Sequence, residues 1–366
     1  MRFLADAHHL GAHETGNETW TRNVAAQLAL LAPPDEVVWA GPPAAAPVLL
    51  AVTGDPGRAL SGSGARRLGL DLPRLARELP ADAVLCTYTA PLTRRPTVLA
   101  VHDVSFEDPR SRGWLPVGLR LHLRTTVRLS CRRAAYVVTP TEDARRRVVE
   151  AYDLPPGRVL VGGSAVDPAL RAAFAGADRP ARTGRRVLVV GNVVPRKNVV
   201  VVARAVRALR TAGQDVTLRV VGSTTRGARD LVAQVQALLG DAVSFTGYVD
   251  TAQLAREYLG ADVLAYPSLF EGFGIPVVEA MAAGLPVVAS TATCLPEVAG
   301  GAALLVEPDD DAGWADAVAL ALEPATRERL VRLGTAREKD FSWSTTGRVT
   351  LEGLRAAADG GPRQGP

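Results

Sequence analysis

Two glutamates eight positions apart bracket a glycine loop in Glu271-Gly272-Phe273-Gly274-Ile275-Pro276-Val277-Val278-Glu279. Gly272 and Gly274 reach backbone angles that other residues avoid. Pro276 suits the first turn of a helix, where its missing N–H costs nothing. The amides of Gly272, Phe273 and Gly274 therefore precede a helix N-terminus, which attracts negative charge. Glu271 and Glu279 do not bind phosphate, but carboxylates accept hydrogen bonds from hydroxyls. A nucleotide sugar, which carries phosphate and hydroxyls together, meets both demands. Arg196 and Lys197 give a second signal, because they are expected to begin a helix after a strand and a glycine. A cation pair opposes the dipole at a helix start and needs a reason. A bound diphosphate supplies one: arginine grips two oxygens and lysine acts as a compact charge. His102-Asp103 follows an apolar run directly, at the strand end where doubly wound sheets gather ligand contacts.

The elements that must hold these residues read as strands and helices in alternation. Expected strands are 2–5, 36–40, 48–52, 83–87, 97–101 and 135–139, then 186–190, 216–221, 243–246, 261–266, 287–290 and 303–306. Expected helices are 18–32, 68–79, 115–133 and 141–151, then 199–212, 229–239, 252–259, 276–283, 311–322, 325–338 and 343–358. A helix or turn is expected from Leu295. Alternation of this kind, run through twice, predicts two doubly wound α/β domains. Residues 54–64 read as a surface loop, 167–184 as the connection between domains, and 359–366 as a disordered end.

A chain of 366 residues is long enough for two such cores. Its 47% hydrophobic and 22% charged residues are ordinary for a globular protein. A net charge of +4 permits an anionic ligand or an anionic membrane surface and does not call for nucleic acid. The basic side is almost all arginine, with Lys197 and Lys339 the only lysines. Cys86, Cys131 and Cys294 lack metal-ligand spacing and read as reduced thiols. The apolar start, residues 1–5, breaks at Asp6, and no uninterrupted apolar run approaches ~18 residues, so neither a signal peptide nor a membrane span is expected. A cytoplasmic location follows, with peripheral attachment at the inner face of the membrane left open. Arg120, Arg124, Arg128 and Arg132 recur every fourth residue and form a stripe along one helix. The stripe reads either as a solvated face or as a contact for anionic lipid or a phosphorylated acceptor.

The stretch around the two glutamates, with its Glu-Ala-Met-Ala-Ala-Gly-Leu-Pro-Val-Val continuation, resembles the Glu-x7-Glu signature of retaining glycosyltransferases of family 4. These are group 1 glycosyl transferases of GT-B fold, mannosyltransferases among them. Pro195-Arg196-Lys197-Asn198 is similar to the family's Pro-Arg-Lys-Asn, and 97–106 to its acceptor-side His-Asp motif. Where the family usually has Pro-Asn-Gly-Val-Asp, this chain keeps only Val166-Asp167, after Gly162-Gly163-Ser164-Ala165. The resemblance implies two Rossmann-like domains facing across a crevice. An acceptor domain would cover 1–170, a nucleotide-sugar domain 183–342, and the last helix, 343–358, would cross back onto the first.

It also implies roles. Glu279 would hold the ribose hydroxyls and Glu271 a hydroxyl of the transferred sugar, with the Gly272, Phe273 and Gly274 amides near sugar and phosphate. Tyr248 and Val249 would lie beside the base and Gly222 near ribose or base, while Gly191 would let backbone approach the phosphates. Arg196 and Lys197 would touch the diphosphate, facing the glycine loop across the crevice. His102, with Asp103, would contact the reacting sugar or the acceptor, and Gly11 and Gly16 would serve the loop that nears the phosphates and acceptor. The implied reaction moves a mannose- or glucose-type hexose from a UDP- or GDP-sugar to a hydroxyl of a glycan, glycolipid or small molecule. Configuration would be retained, the leaving phosphate would take the acceptor proton on the same face, and neither metal nor further cofactor would be needed. Two other readings use the same fold: a nucleotide-sugar epimerase, and a nucleotide-binding protein without activity.

Overall fold

Strands covered on both faces need apolar side chains at every position, and in this chain such runs assemble into two parallel sheets. The computed structural model describes residues 1–11, 15–33, 35–177, 184–224 and 226–361. The described residues divide into two units, Met1–Ser164 with the chain from Ser342 onward, and Ala165–Phe341. The sequence expectation closed the first domain at 170 instead. Val166 and Leu170 lie in the core of the second unit, and Pro168–Ala175 is a helix capped by Asp167, in a segment expected only to connect. Residues 178–183 of that segment lie outside the described residues.

The first unit holds β1 (Phe3–Asp6), β2 (Val37–Gly41), β3 (Arg58–Ala59), β4 (Ala83–Thr87), β5 (Thr97–Ala100), β6 (Tyr136–Thr139) and β7 (Val159–Val161). They pair in the order β3-β2-β1-β4-β5-β6-β7. The second unit holds β8 (Arg185–Val190), β9 (Val216–Val221), β10 (Val243–Phe245), β11 (Val263–Tyr266), β12 (Val287–Ser290) and β13 (Leu304–Val306), in the order β10-β9-β8-β11-β12-β13. Each sheet reverses its strand order once, between β1 and β4 and between β8 and β11. Ligands of doubly wound sheets sit outside the carboxyl ends at that point.

The two faces of the second sheet separate residue by residue, because successive side chains of a strand point to opposite sides. Val187, Val189, Leu218, Val220, Val263 and Ala265 pack on one side, among Val202, Val206, Trp314 and Val318. Leu188, Val190, Leu264 and Tyr266 pack on the other, among Leu170, Tyr258, Val278 and Met281. The last helix, Trp343–Ala358, belongs to the first unit, where it packs on β4, β5 and β6 and pairs Arg355 with Glu36 at 2.9 Å.

The structure departs from the sequence expectations at four local points. Residues 48–52 lie in the helix Ala46–Thr53 rather than a strand. Pro47 in its first turn and Gly54 at φ 78° after its end decide the matter against the β-branched content. The third strand is Arg58–Ala59 instead, inside the expected loop, paired with Ala40 and Gly41. The edge strand β7, only three residues long and preceded by two prolines, was not anticipated. The expected disorder of 359–366 is not met as far as Gly361, and 362–366 lie outside the described residues.

Candidate active site

At the switch point of the second unit, the loops after β8 and β11 are neighbours. The first runs through Gly191 to a single 3-10 turn, Pro195–Lys197, and Asn198 at φ 51° separates that turn from the helix Val199–Thr211. Arg196 and Lys197 therefore do not begin the helix, as expected from sequence, and their charges do not oppose its dipole. The second loop is stitched to this turn. Leu269 N–H donates to the Arg196 carbonyl at 2.9 Å, and Arg196 Nη1 donates to the Phe270 carbonyl. The cation pair and the glycine loop thus belong to one unit, not to opposite sides of a crevice.

Glu271 is the centre of this arrangement. Its Oε1 lies 2.6 Å from Lys197 Nζ and 3.1 Å from Arg196 Nη1. Its N–H donates to Thr293 Oγ1 at 3.0 Å, and its carbonyl accepts from Cys294 Sγ at 3.3 Å. Burial alone raises the carboxyl pKa, but Arg196 and Lys197 outweigh it and bring the group down to about 2. Lys197 Nζ also donates to Tyr266 Oη at 2.7 Å and stands 4.8 Å from the centre of that ring. Sequence reading had given the anion and the cations separate parts of a ligand. The structure joins them to each other.

Glu279 sits on the buried side of the helix Ile275–Ala282. Gly274, at φ 90°, caps that helix, and a Cβ there would lie 2.7 Å from Leu295 Cδ2. Tyr258 Oη donates to Glu279 Oε2 at 2.6 Å. Burial dominates the carboxyl, raising its pKa from 4.5 to about 7; the Tyr258 bond opposes this and Asp167 adds to it. One signature glutamate is held ionised, and the other is poised to change charge near neutrality.

The remaining donor-side candidates differ in what they offer. Gly222, at φ 141°, lets β9 approach the loop after β8, since a Cβ there would lie 2.2 Å from the Gly191 carbonyl. Tyr248 is 59% exposed, and Val249 beside it is half-buried against the core. Phe273 packs its ring edge-on against Phe341 at 5.2 Å, leaving its backbone rather than its side chain for a ligand. Gly272 is buried in the same loop.

In the first unit, His102 follows β5 with its ring 5.0 Å from Trp20 and 5.8 Å from Tyr88. Its Nε2 is buried without a hydrogen-bond partner among the described residues. Burial, then the neighbouring His9, lowers its pKa to about 3, so the imidazole is neutral at ordinary pH. Tyr88 carries a left-handed backbone, φ 56°, a strained conformation for an aromatic residue and one that gathers at functional sites. Asp6, at the end of β1, lies 3.0 Å from His8 Nδ1 and 3.2 Å from Arg67 Nε. Asp103 accepts from Ser105 N–H at 2.8 Å and shapes its own loop. Gly11 donates its N–H to Glu18 Oε1 at 2.9 Å. Gly16, expected in the loop, lies in the first turn of the helix Thr15–Leu31, and residues 12–14 between them lie outside the described residues.

Three arginines of the stripe are engaged by the first unit's own groups, though none of the four is buried. Within the helix Val117–Arg133, Arg120 donates to the Phe106 carbonyl and Ser111 Oγ, Arg124 pairs with Glu107 at 2.6 Å, and Arg132 donates to the Tyr152 carbonyl. The exposed residues of this helix include Val117, Leu119, Leu121, Arg128, Leu129 and Arg132. No described helix is long and apolar enough to cross a membrane.

Sequence reasoning missed Tyr258, Tyr266, Thr293 and Tyr88. Tyr266 had one usable signal, its place at the end of an apolar strand on the same face as Leu264. Tyr258 had none, being an aromatic residue in an ordinary amphipathic helix.

Comparison with known proteins bears on this geometry. Residues 184–323 match the family model described as Glycosyl transferases group 1. Over 241 residues the chain is 32% identical to a D-inositol 3-phosphate glycosyltransferase of Pseudarthrobacter chlorophenolicus, covering 62% of this chain and 57% of that one. It is 29% identical to the O-antigen chain mannosyltransferase RfbU of Salmonella typhimurium, covering 64% of each. The chain thus spans less than two thirds of the length of these relatives. Among solved structures, the Anabaena protein HepE in complex with UDP-glucose aligns over 97% of this chain and 100% of its own, with a TM-score of 0.75 and 20% identity. The two sheets and this likeness give the fold as GT-B.

The raised pKa of Glu279 has a consequence for stability. The folded protein keeps a proton that the unfolded chain gives up above pH 4.5, so stability falls as pH rises through about 7. At about 1.4 kcal/mol per unit, the loss by pH 8 is at most on the order of 3 kcal/mol. Glu279→Gln should abolish this loss. Urea unfolding of both proteins at pH 5 and pH 8 checks it, and parallel pH profiles would contradict the assignment.

Proposed function

We propose that this chain, whose segment 184–323 belongs to the group 1 glycosyl transferases, moves a hexose from a nucleoside-diphosphate sugar to an acceptor hydroxyl with retention of configuration. The observation that carries the reading is the convergence of Arg196, Lys197 and Glu271 at the carboxyl ends of β8 and β11. Cations for a diphosphate and a carboxylate for a sugar hydroxyl stand there within bonding distance of one another. Glu279 receives the ribose: Tyr258 occupies Oε2, and the other oxygen would accept from ribose hydroxyls. The backbone at Gly222, with Tyr248 and Val249, borders the base. The name of the Salmonella mannosyltransferase and the UDP-glucose bound to HepE agree with a nucleotide-sugar donor of mannose or glucose type.

As the sugar–phosphate bond breaks, negative charge grows on the leaving oxygens. Arg196, Lys197 and the amides of the 272–274 loop stabilise it without a metal ion, being fixed in place before the reaction. The acceptor oxygen attacks the face from which phosphate leaves, and that phosphate takes the acceptor's proton. His102, neutral and with a buried ring nitrogen still to be satisfied, orients a hydroxyl of the sugar or acceptor. The acceptor is a glycan, a glycolipid or a small molecule. The outward face of Val117–Arg133, with exposed leucines, Arg128 and no acidic residue in the helix, rests on an anionic bilayer at the inner face of the cell membrane.

Arg196→Ala and Lys197→Ala should each lower turnover by about 10²–10³. The double variant should lose less than the product of the two, since both act on one leaving group. Transfer assays with UDP- and GDP-hexoses in the presence of chelator measure this, and full activity of the double variant would place the phosphate site elsewhere. For the membrane face, replacing Leu121 with Asp and Arg128 with Gln should weaken binding to phosphatidylglycerol vesicles, the charge alone contributing about 1 kcal/mol. Sedimentation with vesicles at low salt is the measurement, and a parent protein that stays in the supernatant would remove the idea.

A further inference from the structure

Arg196 and Lys197 converge on a single oxygen, Glu271 Oε1, as two cations would on one phosphate oxygen. We propose that Glu271 is an internal competitor for the donor's diphosphate, and that this competition makes the site prefer the intact nucleotide sugar over the nucleoside diphosphate it releases. The inference rests on the donor-site reading above and concerns what Glu271 does there.

The main chain leaves only the side chain free to exchange. The Glu271 N–H is held by Thr293 Oγ1 and its carbonyl by the Cys294 thiol, while Arg196 binds the Phe270 carbonyl next to it. Lys197 is held by Tyr266 and given room by Gly191. Tyr266 Oη accepts from Nζ at 2.7 Å, the same ring lies beneath it, and Gly191 leaves room for its stem, since a Cβ there would stand 3.1 Å from Cε. The cations therefore stay, and the anion bound to them changes. A diphosphate that takes Arg196 and Lys197 displaces a buried carboxylate, which then needs another partner. An intact donor supplies one through a hydroxyl of its sugar. A nucleoside diphosphate supplies none, so it binds at the cost of a buried carboxylate parted from its cations and departs more readily. Tyr266 is a positioning residue in this scheme, because it keeps Lys197 at the exchange point.

The test compares UDP, UDP-glucose, GDP, GDP-mannose and inorganic pyrophosphate by calorimetry on the full chain and on Glu271→Gln, with Glu271→Asp as the variant that keeps the charge. The expected result is nucleoside diphosphate and pyrophosphate binding about tenfold tighter or more in Glu271→Gln, a reduced preference for the nucleotide sugar, loss of transfer, and partial return of the parent's preference in Glu271→Asp. Unchanged or weaker diphosphate binding in Glu271→Gln, with Arg196→Ala and Lys197→Ala still losing it, would overturn the competition and leave the donor site standing. A parent that binds none of the five would remove the donor site itself. Thermal unfolding covers a poorly stable variant. Glu271→Gln should melt below the parent and regain stability with pyrophosphate, which binds the exposed cations of the folded state. Failure of pyrophosphate to raise its melting temperature would also overturn the proposal.

Discussion

A buried carboxylate can be kept ionised only if cations satisfy it, and partly buried cations gain from the same pairing. That constraint sits at Glu271, Lys197 and Arg196, and the surrounding structure answers it. The turn Pro195–Lys197 sets both cations ahead of a helix rather than in it. The Leu269 and Phe270 backbone is bonded to Arg196, and Thr293 and Cys294 hold the Glu271 backbone from the next loop. Three separate crossings of one sheet thus end on the same few atoms. The order β9-β8-β11-β12 is what brings them together, because the strand before each crossing lies beside the next.

The second glutamate obeys the opposite rule. Glu279 faces a phenol rather than a cation, so burial decides its charge. The contrast arises from position along the motif. Glu271 lies in a loop open to the neighbouring turn, whereas Glu279 lies one helical turn in, on the side that packs among Tyr258 and the β11 face. Two identical side chains eight residues apart acquire different chemistry from their surroundings, as paired carboxylates in catalytic sites often do.

Much of the fold could be read from sequence because strands buried on both sides are continuous apolar runs. Ala83–Thr87, Val216–Val221 and Val287–Ser290 were placed to the residue. The same signal misled at 48–52, where apolar content cannot separate a strand from a buried helix and only Pro47 and Gly54 could. Glu271, Arg196 and Lys197 were legible because each stands in a glycine- or proline-marked loop, and Glu279 because it follows the glycine loop at a fixed spacing within the helix that loop begins. Their partners were not: Tyr258 and Tyr266 reach the site from other elements, and no local pattern marks a tyrosine as a ligand rather than core. The arginine stripe shows the same limit. Helical spacing put Arg120 and Arg124 on one face, but their acceptors, Ser111 and Glu107, come from the preceding loop, which periodicity does not describe.

The central claim is that the donor meets one ionised glutamate and one that must become ionised. Calorimetric titration of UDP-glucose and GDP-mannose, whose diphosphates are esterified at both ends and do not titrate there, near pH 6.5 in two buffers of different ionisation enthalpy counts the protons exchanged on binding. With Glu279 titrating at about 7, ribose binding to its carboxylate should release roughly three-quarters of a proton from the parent protein and none from Glu279→Gln. Binding with no proton release in the parent, or with equal release in both proteins, would contradict the account.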